Sequence, residues 1–208
     1  MKRVTAIGEG KRRKKRVNVF LDGRFAFSLE AEVAVKENLQ VGQELSEGDI
    51  EALAGAELSQ RCFDAALHYL GYRPRSESEL RERLKRRGFD GDNVETVLVR
   101  LKEQGLVDDL AFAQFWKDNR QSFSPRSQWL VRHELKQKGV AEEVIDQVVA
   151  DIDDEDSAYQ AAMSKARSLS IADYQSFHRR LGEYLKRRGF GYGVINNTLK
   201  RVWGEVKE

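Results

Sequence analysis

The chain has 208 residues, of which 36 are Lys or Arg and 34 Asp or Glu, giving a formal net charge of +2 with 34% charged residues. An average protein carries roughly a quarter. That charge density, a mean hydropathy of -0.62, two prolines and one cysteine, Cys62, exclude a secreted disulfide scaffold and a collagen-like or low-complexity chain. No apolar run approaches the roughly 20 residues needed to span a bilayer. The opening MKRVTAIGEG has basic residues but no apolar stretch, so no signal peptide is expected, and a lone cysteine fits a reducing compartment such as the cytoplasm.

Charge is unevenly placed. Residues 1–28 hold nine basic and two acidic side chains, whereas residues 29–58 hold one basic and eight acidic. The positive block peaks at Lys11, Arg12, Arg13, Lys14, Lys15 and Arg16, six consecutive cations. Self-repulsion makes this run an exposed loop. It is either a solvated tip or a contact for phosphate or an acidic protein surface.

In chain order, Val4–Ile7 and Arg16–Leu21 read as strands. Asp22-Gly23 is a strong hairpin signal leading into Phe25–Ser28. A three-stranded meander is the natural solution. Leu29–Asn38 reads as a short helix, Val41–Leu45 as a turn, and Ser46 with Asp49 has the spacing of a capping box. Residues 1–58 thus form a strand-rich extension with a basic loop and an acidic helical segment.

The remainder is one pattern repeated three times. Leu84-Lys85-Arg86-Arg87-Gly88-Phe89 recurs as Leu135-Lys136-Gln137-Lys138-Gly139-Val140 and as Leu185-Lys186-Arg187-Arg188-Gly189-Phe190, with glycines 51 and then 50 residues apart. Leu80, Val131 and Leu181 lie eight before the glycine. Val94, Ile145 and Ile195 lie six after it, and Leu98, Val149 and Leu199 ten after it. Repeats at 59–108, 109–152 and 153–208 follow, each of three helices.

In the first, Arg61–Tyr72 is one helix. Ser76–Glu79 caps the next, and Gly88 ends it as a left-handed C′ residue. The third helix carries Val94, Val97, Leu98 and Leu101. In the second, Asp108 or Asp109 caps a helix with Phe112, Phe115 and Trp116 in its core, and Ser124-Pro125 starts the following one. Phe123 suggests a hydrophobic staple or a turn anchor. In the third, Asp156 or Ser157 opens a helix, followed by Tyr174–Arg188 and Gly193–Trp203. Asp153-Asp154-Glu155-Asp156 is a linker or an acidic helix start. The expected fold is mainly α, with three tandem three-helix repeats stacked into an elongated curved array behind a small β-meander.

Basic residues recur on the second helix of each repeat: Lys85, Lys136 and Lys186; Arg87, Lys138 and Arg188; and Arg81 with Arg132, a column that Gly182 breaks. Cations are favoured at a helix C-terminus by about 0.3–1 kcal/mol each. That accounts for the last-turn residues but not for Arg81 and Arg132. The functional alternative is a basic stripe facing acidic protein or DNA backbone. Asp108-Asp109 reads as helix capping rather than paired catalytic carboxylates. His68, His133 and His178 are widely spaced, so no zinc-ligand pattern occurs. Neither a phosphate-binding glycine loop nor a nucleophile elbow is visible. No catalytic residue, metal or cofactor is expected.

The arrangement resembles the RecX family of bacterial recombinase regulators. The residues that carry the likeness are Ser76–Arg81, Leu84–Phe89, Gly105–Asp109 running into Phe112-Ala113, Ser124-Pro125-Arg126, and the N-terminal Val17–Gly23. The resemblance implies tandem three-helix repeats. It also implies binding to the RecA recombinase, free or in the groove of its nucleoprotein filament, with modulation, usually inhibition, of its ATPase, strand-exchange and coprotease activities. On this reading the chain is a monomer with at most weak DNA binding and no membrane association, and the basic stripe and basic loop are its contacts. The alternative is a stand-alone DNA-binding protein built on helix-turn-helix-like units.

Overall fold

A computed structural model of the chain describes residues 1–10, 15–168 and 173–206. These fall into two compact units, Met1–Arg73 with Arg81–Gln104, and Pro74–Leu80 with Gly105–Glu208.

The first unit opens with strands β1 (Lys2–Glu9), β2 (Arg16–Leu21) and β3 (Arg24–Glu30). Asp22 and Gly23 both take positive φ, the conformation that a two-residue hairpin turn requires. After helix α1 (Ala31–Lys36) the chain adds a two-residue strand β4 (Glu44–Leu45) antiparallel to β1, where the sequence suggested only a turn. The sheet order is β3-β2-β1-β4. Val4, Val19, Leu21 and Leu29 pack from the sheet onto Val33, Leu39 and Leu53. The Ser46–Asp49 capping box forms as expected. It starts a single helix α2 (Glu47–Leu70), 24 residues long. The sequence had suggested two elements here, with a break near residue 58. No Gly-Pro or turn residue interrupts Ala56–Arg61, so nothing stops the helix. Helices α3 (Glu77–Arg86) and α4 (Gly91–Glu103) complete the first repeat.

The second unit contains α5 (Asp109–Phe123), α6 (Gln128–Gln137) and α7 (Glu142–Val149), then α8 (Asp154–Ala166), α9 (Tyr174–Lys186) and α10 (Tyr192–Val206). The repeated apolar positions are core. Leu80, Val131 and Leu181, and likewise Leu84, Leu135 and Leu185, are fully buried. Each such side chain contributes roughly 1.5–3 kcal/mol by leaving water.

Local boundaries differ from expectation at three points. The cap of α6 is Ser127, which accepts from the Leu130 N–H, while Ser124 ends α5 and Pro125 lies in the connection. The cap of α8 is Asp153, not Asp156 or Ser157. Phe123 is 83% exposed and staples nothing.

Successive repeats meet through a recurring joint within the second unit. Ser76 Oγ donates to the Lys138 carbonyl at 2.6 Å. One repeat later the Ser127 N–H donates to the Arg188 carbonyl at 3.0 Å. The Glu77 N–H donates to Asp109 Oδ1 at 2.8 Å, and the Gln128 N–H to Asp154 Oδ1 at 2.7 Å. The two Asp-Asp pairs therefore divide their labour. Asp108 and Asp153 cap their own helices. Asp109 and Asp154 satisfy orphan N–H groups at the start of the preceding repeat's second helix.

Between these bonds the facing chain lies almost on the C′ glycine. A Cβ on Gly139 would overlap Ser78, and one on Gly189 would stand 2.5 Å from Ser127 Oγ and 2.8 Å from Leu130 Cβ. Gly88 has the same positive φ but open space around it.

Two predictions follow from this joint. Gly139→Ala should cost about 2–4 kcal/mol, combining left-handed strain with overpacking, whereas Gly88→Ala should cost only about 1–2 kcal/mol of strain. Urea unfolding of the two variants measures the difference. Burial raises the Asp154 pKa, outweighing the Gln128 N–H bond, with Asp153 and Glu155 adding repulsion. A carboxyl whose folded pKa is raised contributes stability at low pH that fades as it ionises. Asp154→Asn keeps the acceptor and sheds the charge. Its melting temperature should therefore equal or exceed the parent's at neutral pH, with the gap closing on acidification. Asp154→Ala strands the Gln128 N–H and should cost about 1–2 kcal/mol.

Candidate protein-interaction surface

The basic stripe expected from the sequence separates into three populations. The first is neutralised within its own repeat. Arg81 forms a two-pronged pair with Glu95, Nε to Oε1 at 2.8 Å and Nη2 to Oε2 at 3.0 Å. One repeat later, Arg132 reaches Glu142 at 2.6 Å and Asp146 at 2.5 Å. Arg81 and Arg132 lie seven residues before the C′ glycine, and Glu95 and Asp146 seven after it. The same cross-helix pair is thus built twice. It lowers the Glu95 pKa, first through the hydrogen bond from Arg81.

The second population is occupied by the joint. The Lys138 ammonium pairs with Glu79 and lies 5.1 Å from the Trp116 ring centre, while its carbonyl receives Ser76. Arg188 donates to Ser124 Oγ at 2.8 Å and to the Pro125 carbonyl at 3.0 Å, and stacks over Tyr184. These two side chains hold repeats together and are poorly placed to recruit a partner.

The third population stays in water. Lys85 is half exposed, 4.0 Å from Glu95. Lys136 is 70% exposed, 3.5 Å from Glu142. Lys186 is exposed and makes no ion pair among the described residues. Arg87 is also exposed, with its guanidinium 5.9 Å from the Tyr69 ring centre.

The basic loop requires a correction as well. Arg16 is not a loop cation but the first residue of β2. Its Nη1 pairs with Glu30 at 3.0 Å and Glu57 at 2.7 Å, and its Nη2 donates to the Ser28 carbonyl. The β2–β3 register sets Arg16 opposite Glu30, and the helix α2 supplies Glu57 beside it. Lys15 is exposed in the turn before it. Lys11, Arg12, Arg13 and Lys14 lie outside the described residues.

The expected core role of the aromatics holds for Phe112, which is 1% exposed. Trp116 is partly buried and donates its Nε1–H to Glu134 at 2.7 Å. Glu134 also accepts from Arg120 at 2.8 Å and touches Arg126, fixing the α5–α6 connection. Trp129 is exposed and stacks flat on His133, with 5.7 Å between ring centres.

In the third repeat the paired positions become Gly182 and Asn196. A groove of about 380 Å³ opens where the ion pair would lie. The sequence signalled this site only as a gap in the arginine column. Of its lining residues, Phe190 belongs to the repeated glycine motif, whereas Arg179, Tyr192 and Asn196 carry none.

Among the described residues, no three His, Cys, Asp or Glu side chains gather as a metal site, and no helix is long and apolar enough to cross a membrane. Cys62 is fully buried. Desolvation, with a smaller effect of Asp90, pushes its thiol up to about 11.

These features define a class: tandem three-helix repeats that follow an N-terminal sheet in the chain. The chain belongs to the RecX family of regulatory proteins. Residues 2–46 match the Regulatory protein RecX N-terminal domain, residues 62–101 the RecX first three-helix domain, and residues 108–149 the RecX second three-helix domain. Regulatory protein RecX of Clostridium botulinum strain Eklund 17B is 31% identical over 208 residues, covering 97% of each chain. That of Bacillus pumilus is 27% identical over 99% of this chain and 79% of its own. A crystal structure of regulatory protein RecX superposes with a TM-score of 0.73 at 27% identity, covering 94% of this chain and 98% of the other. RecX from Lactobacillus salivarius, at 19% identity, shares the fold with a TM-score of 0.58 over 70% of this chain.

The thiolate is the reactive form of cysteine, so a buried thiol with a raised pKa is inert. Cys62 should give no reaction with a chromogenic disulfide reagent at pH 8 in the native protein, and one equivalent after unfolding in guanidinium. Rapid native labelling would contradict this environment.

Proposed function

We propose that this chain binds the RecA recombinase, free or in the groove of its nucleoprotein filament. There it inhibits DNA-dependent ATP hydrolysis, strand exchange and coprotease activity, and so acts in homologous recombination, DNA repair and the SOS response. Family membership across nearly the whole chain supports this reading. The observation that carries the surface assignment is the fate of the cations. At the same helix end of each repeat, Lys85, Lys136 and Lys186 remain solvated, as does Arg87, while Arg81 and Arg132 are neutralised and Lys138 and Arg188 are built into the joint. Exposed lysines steer an acidic partner and add little affinity singly, so several repeats must act together. Lys11–Lys14 and Lys15 form the second contact. Arg16 does not, since its charge is spent on Glu30 and Glu57. Such contacts are salt-sensitive.

Titration of the protein into DNA-dependent ATP hydrolysis by the cognate RecA tests this. The wild type should suppress turnover, with the midpoint moving to higher protein concentration as salt rises. Lys85→Glu/Lys136→Glu/Lys186→Glu should shift that midpoint at least tenfold. Suppression that survives the triple variant would move the contact off the lysines. No effect of the folded wild type at any ratio, together with tight binding to DNA alone at about 150 mM salt, where nonspecific binding is weak, would favour the DNA-binding alternative.

A further inference from the structure

The first two repeats close the cleft between their second and third helices with a cross-helix ion pair, Arg81 with Glu95 and Arg132 with Asp146. In the third repeat both partners are replaced together, by Gly182 and Asn196. Loss of one partner alone would leave an uncompensated charge. Loss of both leaves a clean opening along α9. Its floor is apolar: Phe190 and Ile195 are 4% and 8% exposed, and Gly182, with no side chain of its own, faces Leu199 and Ile195. Tyr192, 82% exposed, stands at the edge as an amphipathic flap.

Charge marks the two ends. Arg179 and Lys186 border the groove, exposed and without an ion pair among the described residues, with Glu183 between them as the one carboxylate of the lining, His178 beside them, and Asp173 within electrostatic reach of Arg179. Seven residues of helix separate Arg179 from Lys186, about 10 Å along the axis. That matches about three residues of extended chain at 3.3 Å each. A volume of about 380 Å³ is room for one or two bulky side chains, at the lower end of ligand sites.

We infer that this groove is a docking site for a short acidic peptide segment of a partner protein, in which a bulky apolar residue is flanked by carboxylates. The apolar side chain fills the space over Gly182, between Phe190 and Ile195. The flanking carboxylates meet Arg179 and Lys186. A nucleic acid is disfavoured because Glu183 would face its phosphates from the middle of the site. The inference does not rest on the recombinase reading, since its readout is peptide binding and not ATP hydrolysis.

The test is a display library of randomised nine-residue peptides selected on the full chain at about 100 mM NaCl, where surface charge pairs still act. Enriched peptides should carry an aromatic or long aliphatic residue between acids. Their affinity should fall at least tenfold for Gly182→Arg/Asn196→Asp, which rebuilds the ion pair of the other two repeats and leaves Lys186 untouched. A Cβ at Gly182 would make only ordinary contacts, 3.6 Å to Leu199 and 3.9 Å to Ile195, so the variant is expected to fold, as circular dichroism will show. If it does not, the exposed variants Lys186→Glu and Tyr192→Ala give the same readout. The inference is overturned if no peptide is enriched, if enriched peptides lack the acidic-apolar pattern, or if they bind the filled groove equally well. It is also overturned if an oligothymidylate displaces them, or if the wild type self-associates in sedimentation and the rebuilt variant does not, which would make the occupant a second copy of the chain.

Discussion

The close approach of one repeat's second helix to the C′ glycine of the next governs the rest of the second unit. At Gly139 and Gly189 there is no room for even a methyl group. The neighbouring carbonyls of Lys138 and Arg188 receive bonds from the preceding repeat. Positive φ turns the chain, and absence of a side chain admits the neighbour, so glycine serves two requirements at once. Gly88 meets only the first. The same motif in the sequence therefore carries different weight in different repeats. The aspartates complete the arrangement, since Asp109 and Asp154 spend their oxygens on the helix start of the previous repeat rather than on their own.

Much of this was legible in the sequence. The glycine spacing and the aligned apolar positions gave three three-helix units, because helical periodicity and a left-handed stop are local properties. The Asp22-Gly23 hairpin and the Ser46 cap were legible for the same reason. What escaped was non-local. The continuity of α2 through residue 58 depends on the absence of a breaker, which is a weaker signal than the presence of one. The two-residue strand β4 exists only because β1 offers it an edge. Arg16 looked like the end of a basic loop, and only the fold brings Glu30 and Glu57 to it.

The charged surface teaches the same lesson. Eight cations on the second helices read alike in one dimension. In three dimensions Arg81 and Arg132 clamp their own repeats, Lys138 and Arg188 sit in the joint, and Arg87 and the column of Lys85, Lys136 and Lys186 are left to solvent. Helix-end electrostatics favours a cation at each of these last-turn positions. What stands opposite decides between them: Glu95 for Arg81, Glu142 and Asp146 for Arg132, Glu79 for Lys138, and Ser124 with the Pro125 carbonyl for Arg188, all ten or more residues away.

The four hydrogen bonds that define the joint each have a main-chain atom on at least one side, and this bears on how the chain can vary. A carbonyl is supplied by nearly every residue type, so the main-chain bonds at Lys138 and Arg188 ask for no particular side chain, whereas the contacts of those side chains with Glu79, Ser124 and the Pro125 carbonyl do. What cannot drift is the count of residues between the helix start and the C′ glycine, because one insertion would rotate the acceptor off its donor. Relatives near 30% identity over almost the full length of this chain are compatible with such a frame, which asks for register more than for side-chain identity.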